Sequence, residues 1–168
     1  MKRWLPLLLS LCLPLAACAP GEAWDGRVYH AGRASFRVGP AGASWERIDV
    51  PGAMLSFRDE RASGTVSVYG RCGRDADDVP LAALTGHLLI GFTERTVVSQ
   101  ELVPLDGREA LRTLVQAKLD GVPVALDVYV LKKDGCVFDL VWVSPPERRE
   151  VGAASFEAFV AGFAALGG

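Results

Sequence analysis

Two Asp-Gly pairs, Asp120-Gly121 and Asp134-Gly135, interrupt three long alternating apolar runs between residues 108 and 143. Asp-Gly between such runs is a hairpin signal, because tight turns need the positive φ that glycine tolerates. A two-residue loop at Asp120-Gly121 sets Leu119 opposite Val122. It then pairs Ala117 with Val124, Val115 with Leu126, Thr113 with Val128, and Leu111 with Val130. Side chains alternate along a strand, so all of these share one face, and its apolar character makes it core.

At Asp134-Gly135 two registers compete. A two-residue loop places Asp139 opposite Val130, on the apolar face. A three-residue loop, Lys133-Asp134-Gly135 with a glycine bulge, moves Asp139 to the other face. It also brings Cys136, Phe138, Leu140 and Trp142 onto the Val/Leu face. An unpaired buried carboxylate is costly, which favours the three-residue loop. The far face then carries a row of Arg112, Tyr129 and Asp139, with Asp127 diagonal to it. As a site this is an arginine flanked by two carboxylates; as structure it is a cross-strand ion pair, the commoner case.

The N-terminus carries an address. Lys2 and Arg3 precede an apolar run from Trp4 to Leu15, followed by Ala16, Ala17 and Cys18. A basic start, a short apolar stretch and small residues make an export signal; the run is too short to span a bilayer and contains Pro6 and Pro14. Leu15-Ala16-Ala17-Cys18 closely resembles the lipobox of bacterial lipoproteins. The resemblance implies cleavage before Cys18, acylation of that cysteine, and stable anchoring through more than one chain. Ala19, rather than Asp, after the cysteine resembles an outer-membrane address, with the domain facing the periplasm. The expected division is a signal peptide over 1–17, a lipidated tether over 18–32, and one α+β domain over 33–168.

A chain of 168 residues suffices for one domain with a proper core. Its net charge is −2 and becomes more negative once Lys2 and Arg3 are removed, so no basic face for nucleic acid is expected. Asn is absent, which excludes N-glycosylation.

Short strands are expected at 35–38, 45–50, 54–58 and 65–71, the last placing Val66, Val68, Gly70 and Cys72 on one face. Asp77 and Asp78 before Val79-Pro80 signal a helix start. Leu81, Leu84, Leu88 and Phe92 then recur at helical spacing. A strand over 95–103 leads through Pro104-Leu105-Asp106-Gly107 into the sheet. The segment 151–166 places Phe156, Phe159, Val160 and Phe163 on one helical face, a core stripe. His30, in the tether, and His87, at the helix edge, have no partners at ligand spacing, so neither a metal nor a cofactor is expected.

Four cysteines remain to be assigned. Cys12 leaves with the signal and Cys18 takes lipid, so Cys72 and Cys136 are left in an oxidising compartment. Both lie on the apolar parity of their strands, and a disulfide between them is expected.

This order makes an α+β sandwich, an antiparallel meander packed by an internal and a C-terminal helix. It is similar to the PsbP-like fold, shared by a photosystem subunit, a Ran-binding import factor and DcrB-type lipoproteins. The likeness rests on Trp45, on Leu105-Asp106-Gly107-Arg108-Glu109-Ala110 entering the meander, and on the closing Phe156–Phe163 segment. It implies an α/β/α sandwich acting as a binding or assembly module, and it transfers no site residue. The sequence has no nucleophile elbow, His-Glu-x-x-His, phosphate loop or Cys-x-x-Cys. A non-catalytic envelope lipoprotein with a protein partner is therefore preferred. The alternatives are a ligand binder with a pocket under the first helix, or an envelope enzyme using Arg112, Asp127 and Asp139.

Overall fold

Three Asp-Gly turns share one geometry in the computed structural model, which describes residues 23–73 and 79–167. Asp106-Gly107, Asp120-Gly121 and Asp134-Gly135 each have positive φ at both residues, between 48° and 81°. This is the type I′ combination whose twist matches that of the flanking strands. The turns join β7 (Phe92–Leu105), β8 (Arg108–Leu119), β9 (Val122–Lys133) and β10 (Cys136–Ser144) into an antiparallel meander. The register of β8 on β9 pairs Leu119 with Val122 and Leu111 with Val130, as the sequence implies.

The third turn departs from the expected three-residue loop. Cys136 pairs with Lys133 and Asp139 with Val130, so the loop has two residues. Asp139 therefore stays on the Val/Leu face, while Cys136, Phe138, Leu140 and Trp142 lie on the opposite one. The carboxylate is tolerated because Arg71 reaches it from the next strand, β6 (Gly64–Cys72). Cys136 pairs with Cys72 in the register of β10 on β6, and the two form a disulfide.

The large sheet has the order β4-β5-β6-β10-β9-β8-β7, with β4 over Trp45–Arg47 and β5 over Leu55–Asp59. A second sheet contains β1 (Ala23–Trp24), β2 (Val28–His30), β3 (Phe36–Arg37) and β11 (Ala164–Ala165), in the order β1-β2-β3-β11. Part of the expected tether is thus folded: Ala23 pairs with His30, and Tyr29 is buried. Its first residues and Cys18 lie outside the described residues, as does the Asp77-Asp78 helix signal.

Each face of the large sheet has its own core. On one, Leu55, Phe57, Val66, Val68, Phe138, Leu140 and Trp142 meet helix α2 (Arg149–Ala161) and the small sheet. Phe156, Phe159 and Val160 come from α2; Phe163 joins them just past its end. Gly152 in α2 is required here: a Cβ would stand 2.4 Å from the Trp142 ring. On the other face, Val115, Leu126, Val128, Val130, Val137 and Val141 are covered by α1 (Leu81–Leu88) through Leu84, with Leu89 just beyond. Phe92 does not continue the α1 stripe. It opens β7, because the helix stops at Leu88 and Gly91 takes a φ of +97°.

Candidate functional site

The polar row expected from the sequence is divided between the two faces of the sheet. Arg112 on β8 stands opposite Tyr129 on β9, with Asp127 two residues before Tyr129. These three face α2. Asp139 faces α1 and does not join them.

Asp127 is 2 % exposed and is held by two arginines. Arg112 makes a forked contact, Nε to Oδ1 at 3.2 Å and Nη2 to Oδ2 at 2.8 Å. Arg149, the first residue of α2, donates from Nη2 to Oδ2 at 3.3 Å. Arg112 also donates to Glu157 of α2 at 2.9 Å and lies over the Tyr129 ring, 5.2 Å from its centroid. The hydrogen bond with Asp127 drives the Arg112 guanidinium further towards its charged form. Burial, reinforced by the Asp127 charge, pushes the Tyr129 hydroxyl up to about 12, so it stays protonated near neutrality. Arg112 and Arg149 thus pair with Asp127, with Glu157 on Arg112 and Glu150 on Arg149, an ion-pair network that ties α2 to the sheet. Arg149 and Glu157 were missed because the sequence reading of α2 used only its apolar stripe.

On the other face Asp139 is fully buried. Arg71 Nη1 donates to its Oδ2 at 2.5 Å, and among the described residues Oδ1 has no hydrogen-bond partner. Burial raises the Asp139 pKa, against the opposing pull of Arg71. Beside this pair opens a cleft of about 460 Å³ between α1 and the end of β6, lined by Arg71, Cys72, Val79, Leu84, His87 and Leu88. The ligand-binding alternative places its pocket here. His87 is exposed on the cleft, and His30 on β2 lies 3.7 Å from the Asp25 carboxylate. Backbone N–H groups of Val28 and Arg27 hold Asp25 below the usual carboxylate range. Among the described residues no group of three or more His, Cys, Asp or Glu side chains could hold a metal ion. No helix among them is long and apolar enough to cross a membrane.

No family model and no curated protein sequence matches the chain. Solved structures do. The solution structure of cyanobacterial PsbP (CyanoP) from Synechocystis superposes with a TM-score of 0.57 at 16 % identity, over 91 % of this chain and 99 % of that one. The fold is PsbP-like. LpqN of Mycobacterium tuberculosis, described as involved in cell envelope biogenesis, gives 0.55 at 14 % identity over 80 % and 86 %. A protein from Bacteroides thetaiotaomicron gives 0.56 at 14 %, and this chain, 85 % covered, spans about half of it (49 %). At such identities the likeness concerns the fold alone.

Proposed function

We propose that this protein is a lipid-anchored bacterial envelope lipoprotein that serves as a non-catalytic binding or assembly module for another envelope protein. The observation that carries the reading is the separation of Asp127 from Asp139. The best catalytic candidate in the sequence has its carboxylates on opposite faces, and each is ion-paired to arginine. A pair of carboxylates must share a site to drive their pKa values apart for catalysis. The anchor rests on the Leu15-Ala16-Ala17-Cys18 motif, and two or more acyl chains would hold the domain at the membrane. The address after Cys18 favours the outer membrane, facing the periplasm. LpqN, whose fold is similar, is described as acting in envelope biogenesis.

The test compares the wild-type chain with Cys18→Ser. The wild type should fractionate with membranes and carry an acylated N-terminal Cys18 by mass spectrometry. Cys18→Ser should remain unprocessed or be released. In-membrane crosslinking should link the wild type reproducibly to the same protein, and the link should persist when Arg112 and Asp127 are replaced together by Leu and Asn. An unmodified N-terminus downstream of Cys18 overturns the anchor. Loss of an enzymatic turnover in the double variant overturns the non-catalytic assignment. The cleft under α1 favours a second reading, a small-ligand binder, in which Leu84→Arg would abolish binding.

A further inference from the structure

The described chain begins next to one end of the large sheet, and this decides which end can meet a membrane. Ala23 pairs with His30, which leads into the 3-10 turn Gly32–Ala34. That turn sits on the Asp134-Gly135 hairpin: the Arg33 guanidinium lies over Gly135, and its carbonyl oxygen is 3.5 Å from Cys136 Sγ. Gly73 N–H donates to Gly135 O at 3.2 Å, and Ala165 N–H donates to Asp106 Oδ2 at 3.0 Å. The turns 106–107 and 134–135, the 3-10 turn and the last described residues therefore share one end.

The opposite end exposes apolar side chains beside the Asp120 turn and the Lys118–Glu94 ion pair. At the tip of the β8–β9 hairpin Leu119 and Val122 face each other at 40 % and 62 % exposure. Ile90, 75 % exposed, lies two residues before Phe92, the partner of Leu119. By apolarity alone this tip would be the membrane-seeking surface. Chain length decides against it. Cys18 precedes Ala23 by five residues, which span at most about 17 Å. Trp24 pairs with Tyr29, Tyr29 with Phe36, and the Phe36 ring packs on Phe138, the partner of Leu131; Val122 lies nine residues along β9 from Leu131, so the tip stands about 30 Å from the level of these first strands.

We infer that the end bearing the 106–107 and 134–135 turns rests against the headgroups of the bilayer that holds the anchor, and that the Ile90/Leu119/Val122 tip projects away from it. The occupant of this face is the lipid surface. The inference rests on the anchoring of Cys18 proposed above, and it adds the orientation of the domain.

The experiment uses the full mature lipoprotein, reconstituted into phosphatidylethanolamine/phosphatidylglycerol vesicles containing headgroup-spin-labelled lipid. With Cys18 acylated and Cys72 bonded to Cys136, a single introduced cysteine is the only free thiol. Glu109→Cys reports the near end and Val122→Cys the tip, both at exposed positions, each carrying the same fluorophore. The expected result is quenching several-fold stronger at position 109 than at 122. Equal quenching, or stronger quenching at 122, in protein that floats with the vesicles overturns the orientation alone. Wild-type protein that fails to float overturns the anchor and this inference with it.

Discussion

The two faces of the large sheet are built from the same strands yet are covered in different ways. The face towards α2 is aromatic: Tyr129, Phe138, Trp142, Phe156, Phe159 and Phe163 contact one another's rings or those of Phe36, Phe57 and Trp45. A 13-residue helix and a second sheet close it. The face towards α1 is aliphatic and is closed by an eight-residue helix. Their buried carboxylates follow suit. Asp127, under the larger cover, has two arginines; Asp139, under the smaller, has one arginine and, among the described residues, an unpartnered oxygen. The α2 face is thus the more extensively covered and the more fully paired of the two.

The sharpest way to break this contrast is at its largest side chain. Trp142→Ala should cost about 5 kcal/mol, because a ring packed against Ala62 and Gly152 leaves a cavity that cannot collapse. Leu84→Ala beneath α1 should cost only about 2 kcal/mol, at the low end for such truncations. Urea unfolding of both variants checks the difference, and equal losses would contradict it.

The disulfide comes next. Cys72 and Cys136 are 64 residues apart, and closing a loop of that length restricts the unfolded chain by about 4 kcal/mol. Replacing both by serine should lower stability by roughly that amount, read from denaturation midpoints.

The carboxylates give the third test. Asp127→Asn leaves two arginines facing a neutral amide and should cost about 3 kcal/mol. Asp139→Asn should cost less, since the native site already disfavours the charge. Equal costs in thermal unfolding would erase the distinction.

The smallest effect is in pH dependence. The native pKa of Asp139 is raised, so the folded protein holds that proton more tightly than the unfolded chain does. The resulting stabilisation is fully present below the ordinary carboxylate pKa and is lost as pH rises through the raised native value. Wild type should therefore lose stability relative to Asp139→Asn as pH rises from about 3.5 towards neutrality. A constant difference would mean that the carboxyl is not perturbed.

The sequence made one hairpin of the meander fully legible and misled at the next, for a physical reason. In β8 and β9 one face is a continuous apolar series, and a one-residue slip would have exposed it. In β10 both faces are apolar, since Val137, Val141 and Val143 alternate with Phe138, Leu140 and Trp142. Binary pattern could not choose a register there, and Asp139 was the only tie-breaker. Its partner, Arg71, sits on a strand distant in sequence, so the carboxylate looked unpaired. The better signal was the turn itself: the three Asp-Gly pairs of the meander share positive φ at both residues. The same non-locality hid Arg149 and Glu157, which reach Asp127 and Arg112 only because α2 docks on the sheet. The disulfide remained legible because Cys72 and Cys136 are the two cysteines left over in an oxidising compartment, a reckoning that does not depend on the loop.

The small sheet has a consequence for the order of assembly. Phe36 and Arg37 complete their ladder with Ala165 and Ala164, almost at the other end of the chain. Loop-closure entropy makes so distant a pairing among the last to form. The first strands of the domain thus lack their last neighbour until the segment that follows α2 docks.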